Sequence, residues 1–381
     1  MRTIAARVGV CACVLMACLG SAFAQDAGGG AASDAAGHEI DAEHIELTLD
    51  DAMGNAAGST ARRGDHRRAP FDASLALFWD NDGGYHRWWS DDDGHYTNGI
   101  RGELAWSAKA FDELAHWLPG SGGFESMDVV GGISIGHEMY TPDEIELEEL
   151  IFDDRPYVGY LYGGFFLQRS DVHKLDHFEL DLGVVGPYSG AEGLQRQVHR
   201  VTSSVDPSGW DNQIDNEPII DLRWIRKWRT ERVRLLDTFE ADAIGQAGGR
   251  FGNFQIAAEA GGTARIGFGL PDDFGPGRVM EFKDHAGVWR ERFGVYAYAR
   301  VIGRLVARDI ALDGNTFWTS HSVDRRVAVG EASLGVAGAW WITDSAVLEL
   351  GYANTWETER FEGQSGGDAY GSLIIGLTWG F

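Results

Sequence analysis

The sequence predicts a transmembrane antiparallel β-barrel of about twelve strands with a short helix in an extracellular loop, and three observations predict it. Beyond residue 71, apolar and polar residues alternate over segments of about ten residues separated by turn formers, as barrel strands require. Aromatic residues stand near the ends of these segments, where a barrel meets the membrane boundary. The chain also starts with an export signal and ends on a strand whose last residue is Phe381.

The composition fits strands better than helices. Of 381 residues, 52 are Gly, 14 are Trp and only 9 are Pro, as expected of aromatic strands punctuated by glycine. Outside the export signal, no apolar run approaches the roughly 18 residues of a membrane helix. A soluble antiparallel sandwich shows the same alternation with its apolar face inward, so alternation alone leaves that fold open.

Residues 1–24 form the predicted signal peptide. They carry a positively charged start, an apolar run over residues 8–19 and an Ala-Phe-Ala sequence before Gln25, which is typical of a cleavage site. All three cysteines lie within this segment, so the mature chain is expected to lack disulfides. A lipidated Cys18 is the alternative, but the residues before it match a lipobox poorly.

Two further regions follow the signal peptide. Residues 25–70 are rich in Gly, Ala, Asp and His and have little periodicity, which predicts a disordered acidic periplasmic extension. Residues 71–381 form the predicted outer-membrane β-barrel with catalytic extracellular loops. The formal net charge of −26 argues against nucleic acid as a partner and is compatible with a surface that attracts divalent cations. Simple solubility explains most of these carboxylates equally well.

The strand pattern can be followed along the chain. In the last segment, Leu373, Ile375 and Leu377 share one face. Residues 270–292 do not follow the alternation. The twelve predicted strands begin near Phe71, Asn98, Met127, Tyr157, Leu175, Glu217, Arg232, Phe251, Phe293, Arg326, Ala346 and Tyr370.

The strand count predicts which loops meet. With the N-terminus in the periplasm, connections after odd-numbered strands lie on the outside, and with them the later loop over residues 308–324. The first three of these loops cover residues 81–97, 141–156 and 185–216. The third contains AEGLQRQVHR, which predicts a short helix within a long connection of the kind that is usually functional.

A first group of candidate residues lies where the first hairpin begins and ends. Asn81 and Asp82 close the first strand, and Thr97 opens the second, so the hairpin brings them to one rim. Amide, carboxylate and hydroxyl oxygens are ligands that suit Ca²⁺, a hard cation. Asn-Asp and Asn-Gly are also common turn dipeptides, so the spacing by itself leaves an ordinary turn open.

A second group lies on the predicted helix. Gln195 and His199 are four residues apart and therefore project from one face. A histidine beside a bound Ca²⁺ can deprotonate water for attack on an ester whose carbonyl the metal polarises. A surface or structural histidine is the simpler alternative. A serine nucleophile is a third possibility, but no G-x-S-x-G elbow surrounds the nearby residues Ser189, Ser203 and Ser204.

The motifs together resemble one family. NDGG with YTNG, then EMYTP, DDRPYVGY, LGVVGPYSG with QRQVHR, GWDNQIDNEP and LDGNTFWTSHSVDR are similar, in the same order, to the outer-membrane lipid A 3'-O-deacylases. The resemblance implies a twelve-stranded barrel with a calcium-dependent site near the outer rim. That site removes the 3'-linked acyloxyacyl group of lipid A by a phospholipase-like route.

The resemblance also implies roles for individual residues. The essential Asn-Asp of the family falls on Asn81 and Asp82, its Thr on Thr97 and its His on His199, and Gln195 also matches. It implies Asp82 and Thr97 as metal ligands and His199 as the catalytic base, with Asn81 and Gln195 around the oxyanion.

The resemblance further implies location and partners. It places a monomer in the cell outer membrane, acting on lipopolysaccharide in the outer leaflet. The chain departs from the family at Gly94 and His95, where Asp-Arg is common, and at Glu138, where Gln is usual. The alternatives are an outer-membrane phospholipase that shares the metal and base, and a non-enzymatic channel or adhesin.

Overall fold

The computed structural model describes residues 72–82, 94–124, 127–235 and 238–380. The predicted signal peptide and periplasmic extension lie outside these ranges, as does Phe381. Within the described residues, twelve long strands and one two-residue strand form a single antiparallel sheet. No helix of this part of the chain is long and apolar enough to cross a membrane, a finding that does not bear on β-barrels.

The strand and helix boundaries are as follows. The strands are β1 (Ala73–Asn81), β2 (Tyr96–Trp106), β3 (Asp128–Tyr140), β4 (Val158–Ser170), β5 (Lys174–Val185), β6 (Glu217–Arg229), the short β7 (Val233–Arg234), β8 (Phe239–Gly252), β9 (Gln255–Phe268), β10 (Phe293–Asp309), β11 (Ala328–Thr343), β12 (Ala346–Glu357) and β13 (Ala369–Trp379). The α-helices of the described residues are α1 (Lys109–Trp117), α2 (Ala191–Thr202) and the single turn α3 (Ile310–Asp313).

The sheet closes into a barrel. Strand β1 pairs with β13, and β6 pairs with β8, so the twelve long strands form an unbroken ring. The predicted twelve-stranded barrel is therefore confirmed, and the soluble sandwich is excluded. The predicted start near Arg232 is wrong, because only the two-residue β7 lies there and the long strand β8 begins at Phe239. The prediction near Phe251 is also early, since that residue still belongs to β8 and pairs with Ile256.

The alternation sorts side chains between lipid and lumen. On β10, Val295, Val301 and Leu305 face outward and are exposed, whereas Tyr296 and Tyr298 face inward and are buried. Polar and aromatic side chains such as Arg300 and Tyr298 are found on the inward face and aliphatic ones such as Val301 on the outward face, as a membrane barrel requires.

Residues 269–292, between β9 and β10, fold into the lumen. The ring of Phe282 stacks on that of His177 with centroids 3.7 Å apart. The backbone N–H of Lys283 donates to Glu103 at 3.1 Å, and the imidazole of His285 lies 2.9 Å from the same carboxylate. A segment surrounded by wall on all sides needs both apolar and polar contacts, which explains why residues 270–292 show no alternation.

Alternate connections lie at the same end of an antiparallel barrel. The connections over residues 141–157, 186–216, 310–327 and 358–368 therefore share one end with residues 82, 94 and 95 of the first hairpin, and we call this end the loop rim. Helix α1 and the described chain ends, at residues 72 and 380, lie at the opposite rim. The predicted meeting of the motif-rich loops at one end is what this topology requires.

Candidate active site

The first hairpin brings Asn81, Asp82 and Thr97 together. Asn81 pairs with Asn98 across β1 and β2 at the end of the ladder. The side-chain amide of Asn81 donates to the carbonyl of Thr97 at 3.1 Å, and the backbone N–H of Asp82 donates to the same oxygen at 3.3 Å. The three residues thus share one acceptor and are held in a fixed relation to one another.

The side chain of Thr97 is directed by a local irregularity of β2. The register between β2 and β3 shifts between Tyr96 and Asn98, so Thr97 is an extra residue in the ladder. Such bulges redirect side chains near functional sites. Here the Thr97 hydroxyl lies 2.8 Å from the hydroxyl of Thr141, the first residue after β3, and both side chains are buried.

The donor atoms of this hairpin fit a hard cation. Asn81, Asp82, Thr97 and Thr141 offer amide, carboxylate and hydroxyl oxygens, which are the ligands that Ca²⁺ prefers. One carboxylate oxygen of Asp82 accepts from the backbone N–H of Gly94 at 3.3 Å, which orients it across the hairpin. Thr141 was not among the sequence candidates. Its sequence signals are the EMYTP motif, in which it lies, and its position at the start of the next loop of the same rim.

The helix α2 carries Gln195 in a buried and oriented state. The side-chain carbonyl of Gln195 accepts from the indole N–H of Trp210 at 2.6 Å. Trp210 is fully buried and packs against Tyr157 with ring centroids 4.9 Å apart. Within the described residues, the side-chain nitrogen of Gln195 has no hydrogen-bond partner. A buried amide therefore keeps two N–H donors available.

His199 lies on the same face of α2, partly buried. Its Nδ1 contacts the carbonyl of Val205, which follows the helix after Ser203 takes a left-handed conformation at φ 58°. A carbonyl can only accept, so Nδ1 carries the proton in the neutral ring and Nε2 keeps its lone pair. The predicted helix and the shared face of Gln195 and His199 are thus present.

Strand pairing shows where α2 lies relative to the hairpin. On the lipid-facing side of the wall, Asn81 pairs with Asn98, Asn98 with Met139, and Met139 with Gly159. A side-chain carbon at Gly159 would meet Ala191, the first residue of α2. The start of the helix therefore lies at the end of the row of paired residues that begins at Asn81, three strands or roughly 14 Å along the wall.

This arrangement corrects one sequence expectation. The helical loop was expected to lie above the hairpin, but α2 packs against the outer face of the wall, beside the hairpin. The side-chain contacts of Gln195 and His199 go to Trp210 and Val205 of their own loop. Their convergence with Asn81, Asp82 and Thr97 stays a prediction.

A second cluster, which sequence reasoning missed, is centred on His95. Its Nε2 lies 3.2 Å from carboxylate oxygens of both Asp143 and Asp154, and its Nδ1 lies 3.1 Å from Asp368. Burial alone would lower the pKa of His95, but hydrogen bonds to Asp154 and Asp368 outweigh it and raise that pKa to about 9. The pKa values of both carboxyls are lowered by the imidazolium, against the effect of their burial.

The grouping of His95, Asp143 and Asp154 also has the spacing of a metal site. In the metal-free protein, the contacts of His95 with Asp143, Asp154 and Asp368 form an ion-paired clamp that joins three loops of the loop rim. Asp143 and Asp154 come from the loop over residues 141–157 and Asp368 from the loop over residues 358–368, so no local pattern in the sequence indicates the clamp.

Arg155 belongs to the same loop junction. The guanidinium is buried and donates to the carbonyls of His95 at 3.2 Å and Ala311 at 3.1 Å. These contacts hold the loop of Arg155 against the two loops that carry His95 and Ala311.

The hydroxyl contacts of the serine candidates lie elsewhere. Ser189 donates to the carbonyl of Gly186 at 2.7 Å, and the hydroxyl of Ser204 lies 2.8 Å from that of Thr202. These contacts give no support to a serine nucleophile.

Comparison with known proteins bears on both family and fold. The sequence model of one family, described as outer membrane protein LpxR, matches residues 51–379. LpxR from Salmonella typhimurium is 18% identical and covers 81% of this chain and 100% of its own, with a TM-score of 0.62. The β-domain of the Bordetella autotransporter BrkA is 10% identical over 82% of this chain and 100% of its own, with a TM-score of 0.44. No curated protein matches the chain in sequence.

Proposed function

The chain belongs to the LpxR family of outer membrane proteins, and from that premise we propose that it is an outer-membrane ester hydrolase. Its substrate is lipid A, from which it removes the 3'-linked acyloxyacyl group. Water is the nucleophile, and a bound Ca²⁺ is the cofactor. The protein acts on the outer leaflet of the outer membrane, to which it is exported by a cleaved signal peptide.

One observation carries this proposal. The two halves of the candidate site lie on the lipid-facing side of the wall along one row of paired residues, which runs from Asn81 on β1 to Gly159, beneath Ala191 of α2. A lipid ester in the outer leaflet reaches that surface by lateral diffusion, without entering the barrel. The lumen, by contrast, holds residues 269–292, which is the wrong place for a membrane lipid and argues against an open channel.

His199 is the proposed general base. Its Nδ1 proton is engaged by the carbonyl of Val205, which leaves Nε2 to accept a proton from water. The water oxygen attacks the ester carbonyl carbon, the bond to the sugar oxygen breaks, and the proton held at Nε2 passes to that oxygen. The products are a free acyloxyacyl acid and a lipid A with a 3'-hydroxyl.

Gln195 is the proposed oxyanion donor. Its carbonyl is fixed by Trp210, and its buried N–H groups lack a partner among the described residues. Donors that are oriented before reaction and shielded from water stabilise developing negative charge efficiently. Asn81, with one N–H bound to Thr97, keeps a second N–H that can orient groups around the same oxyanion.

Asp82 and Thr97 are the proposed metal ligands, and the Thr141 hydroxyl is close enough to Thr97 to join them. A bound Ca²⁺ supplies polarisation of the ester carbonyl. The fold holds these oxygens through the shared Thr97 carbonyl and the β2 bulge, whether or not substrate is present.

The direct test is release of acyl groups from lipopolysaccharide by the purified barrel, with and without a chelator. We expect His199→Ala to abolish release and His173→Ala to leave it intact, since His173 lies in the β4–β5 turn of the opposite rim. Unchanged release from His199→Ala would exclude the mechanism.

Two alternative functions remain as outcomes of the same experiment. Mass spectrometry of both lipid pools distinguishes lipid A deacylation from phospholipid hydrolysis, which would use the same base and metal. Release from neither pool, together with no calcium-dependent stabilisation, would favour a non-enzymatic barrel.

A further inference from the structure

Helix α1 lies in the connection between β2 and β3 at the opposite rim. It packs against the lipid-facing side of the wall. The ring of Phe111 covers Gly131 of β3, where a side-chain carbon would collide with it. Phe111 also contacts the outward-facing rings of Trp106 and Phe165, at centroid distances of 5.6 and 6.1 Å. The glycine thus leaves a gap in the wall that the helix fills.

This gap interrupts a row of large apolar side chains. Strand pairing places five outward-facing positions in one row across the sheet: Trp106, Gly131, Leu167, Phe178 and Trp224. With Phe111 over Gly131, the row becomes a continuous girdle across β2 to β6. Aromatic girdles of this kind mark the membrane–water boundary of barrels.

The remaining surface of α1 divides into two unlike flanks. At 3.6 residues per turn, one flank beside the wall-contacting face carries Ala110, Leu114 and Trp117. The other flank carries the polar residues Lys109, Asp112, Glu113 and His116. Leu114 is 42% exposed and Trp117 is 88% exposed, an unusual state for an apolar flank of a water-facing helix.

The orientation of α1 is fixed by a buried arginine. Arg169 donates to the carbonyls of Ala115 at 2.7 Å and Leu118 at 3.1 Å, and it pairs with Asp176 at 2.7 Å. The last carbonyls of the helix are thereby satisfied from the wall. The helix cannot roll to hide Leu114 and Trp117 without breaking these bonds.

We propose that α1 is an interfacial anchor whose apolar flank lies in the phospholipid leaflet next to the opposite rim. The neighbouring face of α1, which carries Phe111, already packs on the lipid-facing surface of the barrel. The polar flank then faces water, and Trp117 sits at the boundary, where indole rings are favoured. The anchor fixes the depth of the barrel, and this role is independent of hydrolysis.

Site-specific fluorescence tests the anchor. All cysteines lie within residues 1–24, so a chain expressed without them offers unique thiols in Trp117→Cys and, as the matched control, Glu113→Cys. Each is labelled with an environment-sensitive fluorophore and placed in phosphatidylethanolamine–phosphatidylglycerol nanodiscs, whose two faces are both open to solutes. Spin-labelled lipid is expected to quench the label at 117 at least twofold more than that at 113, and aqueous iodide to do the reverse.

Other occupants give other results. Equal quenching of both labels by iodide would overturn the proposal, because the flank would then face water. Protection of the label at 117 from iodide without quenching by spin-labelled lipid would also overturn it, since a protein partner or second copy would then cover the flank. Heat-dependent mobility on gels verifies that both labelled variants have folded as barrels.

Discussion

Gly159 of β4 lies directly beneath Ala191, the first residue of α2, so that any side chain at 159 would occupy the space of the helix. Gly131 of β3 stands in the same relation to Phe111 of α1 at the other end of the wall. Each helix therefore docks on the lipid-facing side of the barrel over a glycine. The glycine at 159 determines how close the helix that bears His199 comes to the wall.

Gly159→Val should displace α2 and reduce acyl release more than tenfold while the barrel still forms. The valine methyls would meet Ser189 and Ala191, whose backbone then has to move. Gly163→Val is the matched control, because it lies on the same strand and face and a side-chain carbon there finds only the Ser134 carbonyl, at 3.8 Å. Heat-dependent gel mobility and acyl release are measured on both. Equal activity in the two variants would show that the docking of α2 does not matter.

Gln195→Leu should lower kcat by about 10²–10³, the usual cost of an oxyanion donor. Leucine keeps the volume but removes the two N–H groups that have no partner among the described residues, together with the carbonyl that accepts from Trp210. Gln197→Leu on the exposed side of the same helix is the control. Steady-state kinetics separate the effects, since loss of an oxyanion donor lowers kcat more than it changes KM. A change in KM alone would assign Gln195 to substrate binding.

Much of the fold follows from local periodicity. Alternation along Leu373, Ile375 and Leu377 identifies β13, and the count of such segments gives twelve strands and hence the shared rim of the loops. The same reasoning fails at residues 270–292, because a segment enclosed by the lumen has no lipid face and no water face to alternate between. It also misplaces the start of β8, where charged residues such as Arg232 pair across the rim with Glu240 at 3.2 Å.

The candidate site was likewise predictable from the sequence only in part. Asn81, Asp82 and Thr97 are joined by one hairpin, so strand pairing alone predicts their proximity. The bulge at Thr97 and its contact to Thr141 depend on a register shift that no sequence pattern marks. The clamp on His95 requires three loops to close over one ring, which is a property of the finished barrel.

The stability of the loop rim should fall between about pH 6.5 and 9. The pKa of His95 is raised to about 9 in the folded protein from an ordinary 6.5, so its stabilisation is complete below 6.5 and is lost as the pH rises through 9. His95→Gln should remove this component, and the exposed His173→Gln should retain it. Thermal unfolding from pH 6 to 10 measures both. If the unfolding temperatures of the wild type and His95→Gln changed with pH in the same way, the imidazole of His95 would not be charged in the folded protein.

Replacing residues 274–286 by a short Gly-Ser linker should open the barrel to ions. The segment fills the lumen through contacts such as Phe282 on His177 and His285 with Glu103. Without it, a ring of twelve strands is wide enough for water. Planar bilayer recordings should show a steady conductance for the variant and none for the wild type. A steady conductance of the wild type would instead support the channel alternative.

Calcium should raise the unfolding temperature of the wild type but not that of Asp82→Asn. A ligand at about 100 times its Kd stabilises the folded state by about 2.7 kcal/mol, and removing one carboxylate charge weakens the site for a hard cation. Asp344→Asn, in the exposed turn between β11 and β12, removes the same charge far from the hairpin and should keep the calcium response. If the hairpin binds the calcium, a chelator should lower the unfolding temperature of the wild type to that of Asp82→Asn. If Asp82→Asn keeps the full response, the cation is bound elsewhere, and acidic clusters such as Asp143 with Asp154 become the place to look for it.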